Sequence, residues 1–226
     1  MKIAVVGNGA GSLHFKNGRF IDSCDLVIRI NDYQTVGFED AVGARTDIHM
    51  LNSCAKIPGL TATHISALRE VWFAFPNPAT WQDSYTIHSP YEFQYLDQWR
   101  KDLSAEEHEV DAHGAAVSHV FPNAFRRYFK REHMLELVTA LGFQRSGVLA
   151  GPDGKLVQPT TGVKTIWLAK ALHPGSEILV TGFDGFQSST YYWNISAPDR
   201  YDNHAYSLEI EWLNRLCQDK VILRLD

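Results

Sequence analysis

The stretch "KIAVVGNGAGS", residues 2–12, decides the fold class. After Lys2 come four apolar residues without polar alternation, the pattern of a strand whose two faces are both covered, as in a parallel α/β sheet. Gly7, Gly9 and Gly11 follow at once, a spacing that lets backbone approach a ligand and turn N–H groups towards it. Asn8 and Ser12 add side-chain donors to the same loop. Ser12 stands where the third glycine of G-x-G-x-x-G belongs. The second apolar run ends in Arg29-Ile30-Asn31, with Asp32 one residue late for a ribose-binding acid. The loop therefore reads as an anion cradle, as a damaged dinucleotide site for NAD, or as a tight turn that binds nothing.

The same rhythm continues along the chain. "DLVIRIN" (25–31), "DIHMLN" (47–52), "EVWFAF" (70–75) and "SEILVTGF" (176–183) read as further strands. Three helical patterns lie among or after them: "NAFRRYFKREHMLELVTALG" (123–142), "TTGVKTIWLAKAL" (160–172) and "NHAYSLEIEWLNRLCQ" (203–218). Thr160 and Asn203 are suitable N-caps, and Pro174 stops the second helix. Strands alternating with helices predict an α/β fold, a mostly parallel sheet flanked by helices, with ligands at the carboxyl ends of the strands. The 226 residues read as a single domain, 1–226. Residues 76–122, rich in Pro, His and Trp, read either as a lid or acceptor-facing insertion or as a plain irregular connection.

Composition narrows the function. The chain is 45% apolar and 21% charged, with net charge −5 and pI near 6.0. That balance argues against broad electrostatic binding of nucleic acid. No window reaches the length of a membrane span, and the N-terminus is not a secretory signal. Cys24, Cys54 and Cys217 are odd in number and widely spaced, so they read as reduced thiols of a cytoplasmic protein. "FRRYFKRE" (125–132) mixes four basic residues with aromatics. It reads as a solvated helix face, with weak peripheral membrane contact as the other reading.

Three further groups carry chemistry. Asn8, Asn31 and Asn52 each follow a predicted strand, so neighbouring strands would bring three carboxamides to one crevice. "QPTTGVKTIW" (158–167) leads Thr160, Thr161 and Gly162 into a helix, where unpaired N–H groups and the positive dipole end suit a phosphate or carboxylate. In "HAYSLE" (204–209), His204 is expected in the first turn of the last helix, where the dipole keeps imidazole neutral and ready to accept a proton. Glu209, five residues on, is placed to brace the helix start rather than to touch that ring.

Taken in order, these pieces resemble the animal-type sialyltransferases, glycosyltransferase family 29. Residues 4–53 are similar to the large motif of that family over its whole length. Residues 158–184 are similar to its small motif, which closes on Gly182-Phe183. "TYYWN" (190–194) resembles the third motif, and His204 with Glu209 the last, H-x4-E. The resemblance covers about half the chain and implies a single Rossmann-like domain of the GT-A type. It also implies a transferase that moves sialic acid, or the related keto acid Kdo, from a CMP donor to an oligosaccharide or glycolipid hydroxyl. Carried over, Gly7, Asn8, Gly9, Ser12, Asn31 and Asn52 would line the nucleotide, with Phe183 beside them. Thr160, Thr161 and Gly162 would hold the donor's carboxylate and ribose, Tyr191 and Tyr192 would flank the leaving phosphate, and His204 would be the base.

A single phosphate ester can be met by hydroxyls and backbone dipoles, so no metal or other cofactor is expected, and one-step displacement would invert the anomeric carbon. The chain departs from the family at Tyr191, which replaces a histidine, and at Asn194, which replaces an acid. A phenol is a far weaker acid than imidazolium. The family's cysteine pair between the large and small motifs is missing, and so is its membrane anchor, which suits a soluble bacterial enzyme working on capsule or lipopolysaccharide. Two other functions remain: an NAD-linked oxidoreductase and a non-catalytic nucleotide-sugar binding module.

Overall fold

The computed structural model describes residues 1–52, 68–74, 124–142, 159–185, 190–193, 204 and 206–226. Seven parallel strands form one sheet: β1 (Lys2–Val6), β2 (Leu26–Ile30), β3 (Ile48–Leu51), β4 (Glu70–Phe73), β5 (Phe125–Tyr128), β6 (Glu177–Thr181) and β7 (Ile222–Arg224). Their order across the sheet is β5-β4-β3-β2-β1-β6-β7. The chain thus steps from β1 outward to one edge, then returns to the other side of β1. The topological switch point lies between β1 and β6, where an open parallel sheet leaves a crevice at its carboxyl edge.

The apolar runs are explained by cover on both faces. Side chains alternate in direction along a strand, and β1 divides accordingly. Ile3 and Val5 join a core built with α3 (Arg131–Ala140), α4 (Thr161–Leu172) and α5 (Tyr206–Gln218), through Leu137, Ile166 and Trp212. Ala4 and Val6 face a smaller core with Ile21 of α1 (Gly18–Asp22) and Val42 of α2 (Glu39–Val42). The doubly covered α/β sheet expected from the sequence is present.

One predicted helix is corrected. Residues 123–142 do not form a single helix: Phe125–Tyr128 is the edge strand β5, paired in parallel with β4 from Glu70 to Phe73, and helix α3 begins only at Arg131. Aromatic residues favour a pleated, half-buried surface. Tyr128 stacks on Phe73 at 4.8 Å, and Arg127 donates to Glu70 at 3.1 Å. "FRRY" is therefore strand, not the solvated helix face read from the sequence. The three-residue β7 was not foreseen. Segment 76–122, read as a lid or as a plain connection, lies outside the described residues, as do Cys54, Asn194 and Asn203, the expected N-cap. Among the described residues no helix is long and apolar enough to cross a membrane.

Candidate functional site

A cavity open at its mouth lies at the switch point above β1 and β6, where an open parallel sheet takes its ligands. The sequence-predicted residues Gly7, Asn8, Gly9, Asn31, Asn52, Thr160, Thr161, Gly162, Phe183, Tyr191, His204 and Glu209 all line it. Ser12 and Tyr192 do not.

The glycine loop works differently from the expectation. Gly7 N–H donates to the Thr181 carbonyl at 2.8 Å and Gly9 N–H to that of Gly182 at 2.9 Å. These amides are bound to the β6 exit and are not turned towards a ligand. A Cβ on Gly7 would lie 2.5 Å from the Gly182 oxygen, and one on Gly9 2.9 Å from it. The glycines are there because two loops cross in contact, and Gly182 itself sits at φ +73°. A pyrophosphate would find neither of these amides free, which removes the chief attraction of the NAD reading.

Ser12 donates to the Gly9 carbonyl at 3.0 Å and is buried, so its hydroxyl closes the loop. Tyr192 packs among Ala4, Val6 and Val27 in the α1–α2 core, and its hydroxyl donates to the Gln34 carbonyl at 2.7 Å. Burial pushes its phenol up to about 12. Tyr191, by contrast, lines the cavity. Tyr192→Phe is expected to lower stability by about 1 kcal/mol in urea titration while leaving nucleotide affinity unchanged.

The carboxamides are held more tightly than turn asparagines need to be. Asn8 Nδ2 donates to the carbonyls of Ile30 at 3.0 Å and Asp32 at 2.9 Å. Its Oδ1 is buried with no hydrogen-bond partner among the described residues. Asn31 adopts φ +50°, and its Oδ1 accepts from Asn52 N–H at 2.9 Å. Asn8 and Asn31, so held, both line the cavity.

Thr160 caps α4 as the sequence predicts, accepting from Val163 N–H at 3.3 Å. Its own N–H and hydroxyl both donate to Glu209, each at 2.7 Å. The Thr160 proton is thus committed, which leaves Thr161 and Gly162 as the open part of the cradle. Glu209 braces α4, the neighbouring helix, as well as standing in the first turn of α5. It is buried, and desolvation raises its pKa to about 7 against the opposing pull of the Thr160 bonds. The folded value lies above the ordinary carboxyl value of 4.5, so the stability tied to the neutral acid is complete below about 4.5 and lost as pH rises through about 7. Relative to wild type, Glu209→Gln should gain on the order of 3 kcal/mol between pH 4.5 and pH 8. Urea midpoints across that range check this; a pH-independent difference would show that Glu209 does not titrate there.

His204 stands two residues ahead of α5, not in its first turn, because the helix begins at the buried Tyr206. Its ring meets that of Tyr206 edge-on at 5.6 Å. Tyr191 bridges to Gly9 through the backbone, and its ring stacks on Trp193 at 5.4 Å. Among the wall residues with polar side chains, Asp184, Thr190 and Tyr206 were missed from the sequence. Asp184 directly follows a predicted strand end and could have been found by the rule that located the asparagines. Among the described residues no three His, Cys, Asp or Glu side chains gather at metal distance.

This architecture matches solved structures of mammalian sialyltransferases. One, in complex with Gal-beta-1-3GalNAc-ortho-nitrophenol, superposes with a TM-score of 0.60 at 18% identity, covering 99% of this chain and 68% of that one. A second gives 0.59 with the same coverage. In sequence, the chain is 25% identical over 215 residues to the beta-1,6-galactosyltransferase GALT29A of Arabidopsis thaliana, 92% of this chain and 49% of that protein. Over 50 residues it is 46% identical to the beta-galactoside alpha-2,6-sialyltransferase 2 of Danio rerio, 22% of this chain and 10% of that protein. The chain therefore spans no more than about half the length of these relatives. The sequence profile of glycosyltransferase family 29 (sialyltransferase) matches residues 1–221. With a match of that extent and the sheet, switch point and ordered motifs in place, the chain belongs to glycosyltransferase family 29.

Proposed function

We propose that the protein is an inverting glycosyltransferase that needs no metal and moves sialic acid or Kdo from a CMP donor to a sugar hydroxyl of a surface glycan. The observation that carries this reading is the convergence of Asn8, Asn31, the Thr161–Gly162 helix start and His204 on one cavity. In this mechanism the carboxamides take the nucleotide, and the N-terminus of α4 takes the negative charge of the donor. His204 accepts the hydroxyl proton as the acceptor oxygen bonds to the anomeric carbon. The bond from that carbon to the phosphate oxygen breaks on the opposite side, and its electron pair leaves with CMP. Tyr191, on the cavity wall, donates a phenolic hydrogen bond to the departing phosphate. The three scattered cysteines suit a reducing compartment, and we place the activity in the cytoplasm.

The plant relative supports a second reading, galactosyl transfer at the same cavity from a donor with another nucleotide. A thermal-shift comparison of CMP, UDP, GDP and NAD separates the two, because a ligand that binds the folded state raises its melting temperature by mass action. A shift with CMP alone supports the CMP donor. A shift with UDP alone moves the protein to the second reading, and one with NAD overturns both. In a transfer assay with CMP-sialic acid, EDTA should leave the rate unchanged; loss of rate restored by a divalent cation would rule out the metal-free mechanism.

A further inference from the structure

We propose that His49, at the centre of β3 and outside the cavity wall, is a positioning residue that sets Asn31 in its ligand-binding conformation. The inference rests on the reading of the cavity as a CMP site. His49 is buried at 2% exposure, and its Nε2 lies 2.7 Å from the Asn31 carbonyl. A carbonyl only accepts, so Nε2 carries the proton and donates it.

That carbonyl is the middle one of three. Asn8 Nδ2 holds the carbonyls of Ile30 and Asp32 on either side. Three successive carbonyls at the exit of β2 are thereby fixed by two side chains. The residue at their centre sits at φ +50°, one of two non-glycine residues with positive φ among the described residues. Asparagine tolerates that region better than most residues, but does not prefer it over ordinary backbone. Something must hold it there. The main-chain N–H of Asn31 continues the ladder to the Met50 carbonyl at 2.8 Å, and its Oδ1 accepts from Asn52. With carbonyl, N–H and Oδ1 all engaged, the orientation of the side chain is determined and its Nδ2 is the group left to meet a ligand. His49 is itself held by the Tyr33 ring, edge-on at 5.1 Å.

The test is CMP affinity by isothermal titration with a double-mutant cycle. His49→Gln keeps an N–H where Nε2 stands, and His49→Met keeps bulk without a donor. His49→Met should weaken CMP roughly tenfold and His49→Gln should restore most of that loss. In an Asn31→Gly background, adding His49→Met should cost nothing further. Equal affinity in all His49 variants, or a full and additive loss in the Asn31→Gly background, overturns the role. If wild type fails to bind CMP, the donor reading fails instead, and the geometry is then read by NMR. There, and equally if His49→Met does not fold, 15N shifts of the wild-type His49 ring should place its proton on Nε2. A neutral ring protonated on Nδ1 overturns the inference.

Discussion

His204→Ala is expected to lower sugar transfer from a CMP donor by roughly 10²–10⁴-fold, the usual worth of a general base. CMP affinity should stay within about twofold, because the ring is needed only as the acceptor hydroxyl loses its proton. The difference between these two readouts is what defines a base. His204 lines the cavity wall together with Asp184 and Glu209, so the variant also decides among possible bases. Glu209 is a poor candidate, since both of its carboxyl oxygens are engaged by hydrogen bonds with Thr160. If transfer survives in His204→Ala, Asp184 becomes the base to test. If CMP affinity collapses along with transfer, His204 is a binding group. A wild type that binds CMP but transfers nothing to any acceptor would point to the binding-module reading.

The second large effect concerns stability. Arg29, in β2, is fully buried. Its Nε donates to the Arg45 carbonyl and the Thr46 hydroxyl, both at 3.1 Å, and Nη2 to the carbonyls of Val42 at 2.7 Å and Gly43 at 3.0 Å. Desolvation pulls its pKa below the ordinary arginine value, and the Tyr33 ring lies 5.5 Å from the guanidinium. A buried ion pair can often be replaced by apolar residues without loss, because both charges go together. That route is closed here. Three of the four acceptors are main-chain oxygens between Val42 and Arg45, and no side-chain substitution removes them. Arg29→Met should therefore cost on the order of 3–5 kcal/mol and lower the melting temperature by roughly 10 °C. Arg29→Lys should recover little, because one ammonium cannot copy the fork that serves four acceptors. A Met variant within about 1 kcal/mol of wild type would show that the turn finds other donors.

Much of this was legible in the sequence. Unbroken apolar runs such as Ile3–Val6 declared a sheet covered on both faces, and the asparagines after β1, β2 and β3 marked the carboxyl edge. Thr160 declared the start of α4. What failed did so for physical reasons. The glycines signalled backbone crowding correctly, but sequence alone cannot say whether the crowding partner is a ligand or another loop; here it is Gly182. "FRRYF" carries aromatics four apart, which suits a helix stripe, yet pairing with β4 makes it a strand. Tyr191 and Tyr192 are chemically alike and adjacent, and only the folded backbone shows that one lines the cavity and the other packs in the core. The last helix starts two residues later than expected, so His204 precedes it. The roles of Arg29 and His49 depend on carbonyls distant in sequence, and no local pattern announces them.

The most direct measurement is a crystal structure of the protein with CMP. The cytidine phosphate should lie in the cavity between the β1 and β6 exits, within hydrogen-bond distance of Asn31 Nδ2, with its phosphate near the start of α4 and the His204 ring facing the phosphate's open side. CMP bound elsewhere, or a His204 ring turned away from a correctly seated nucleotide, would refute the proposed site.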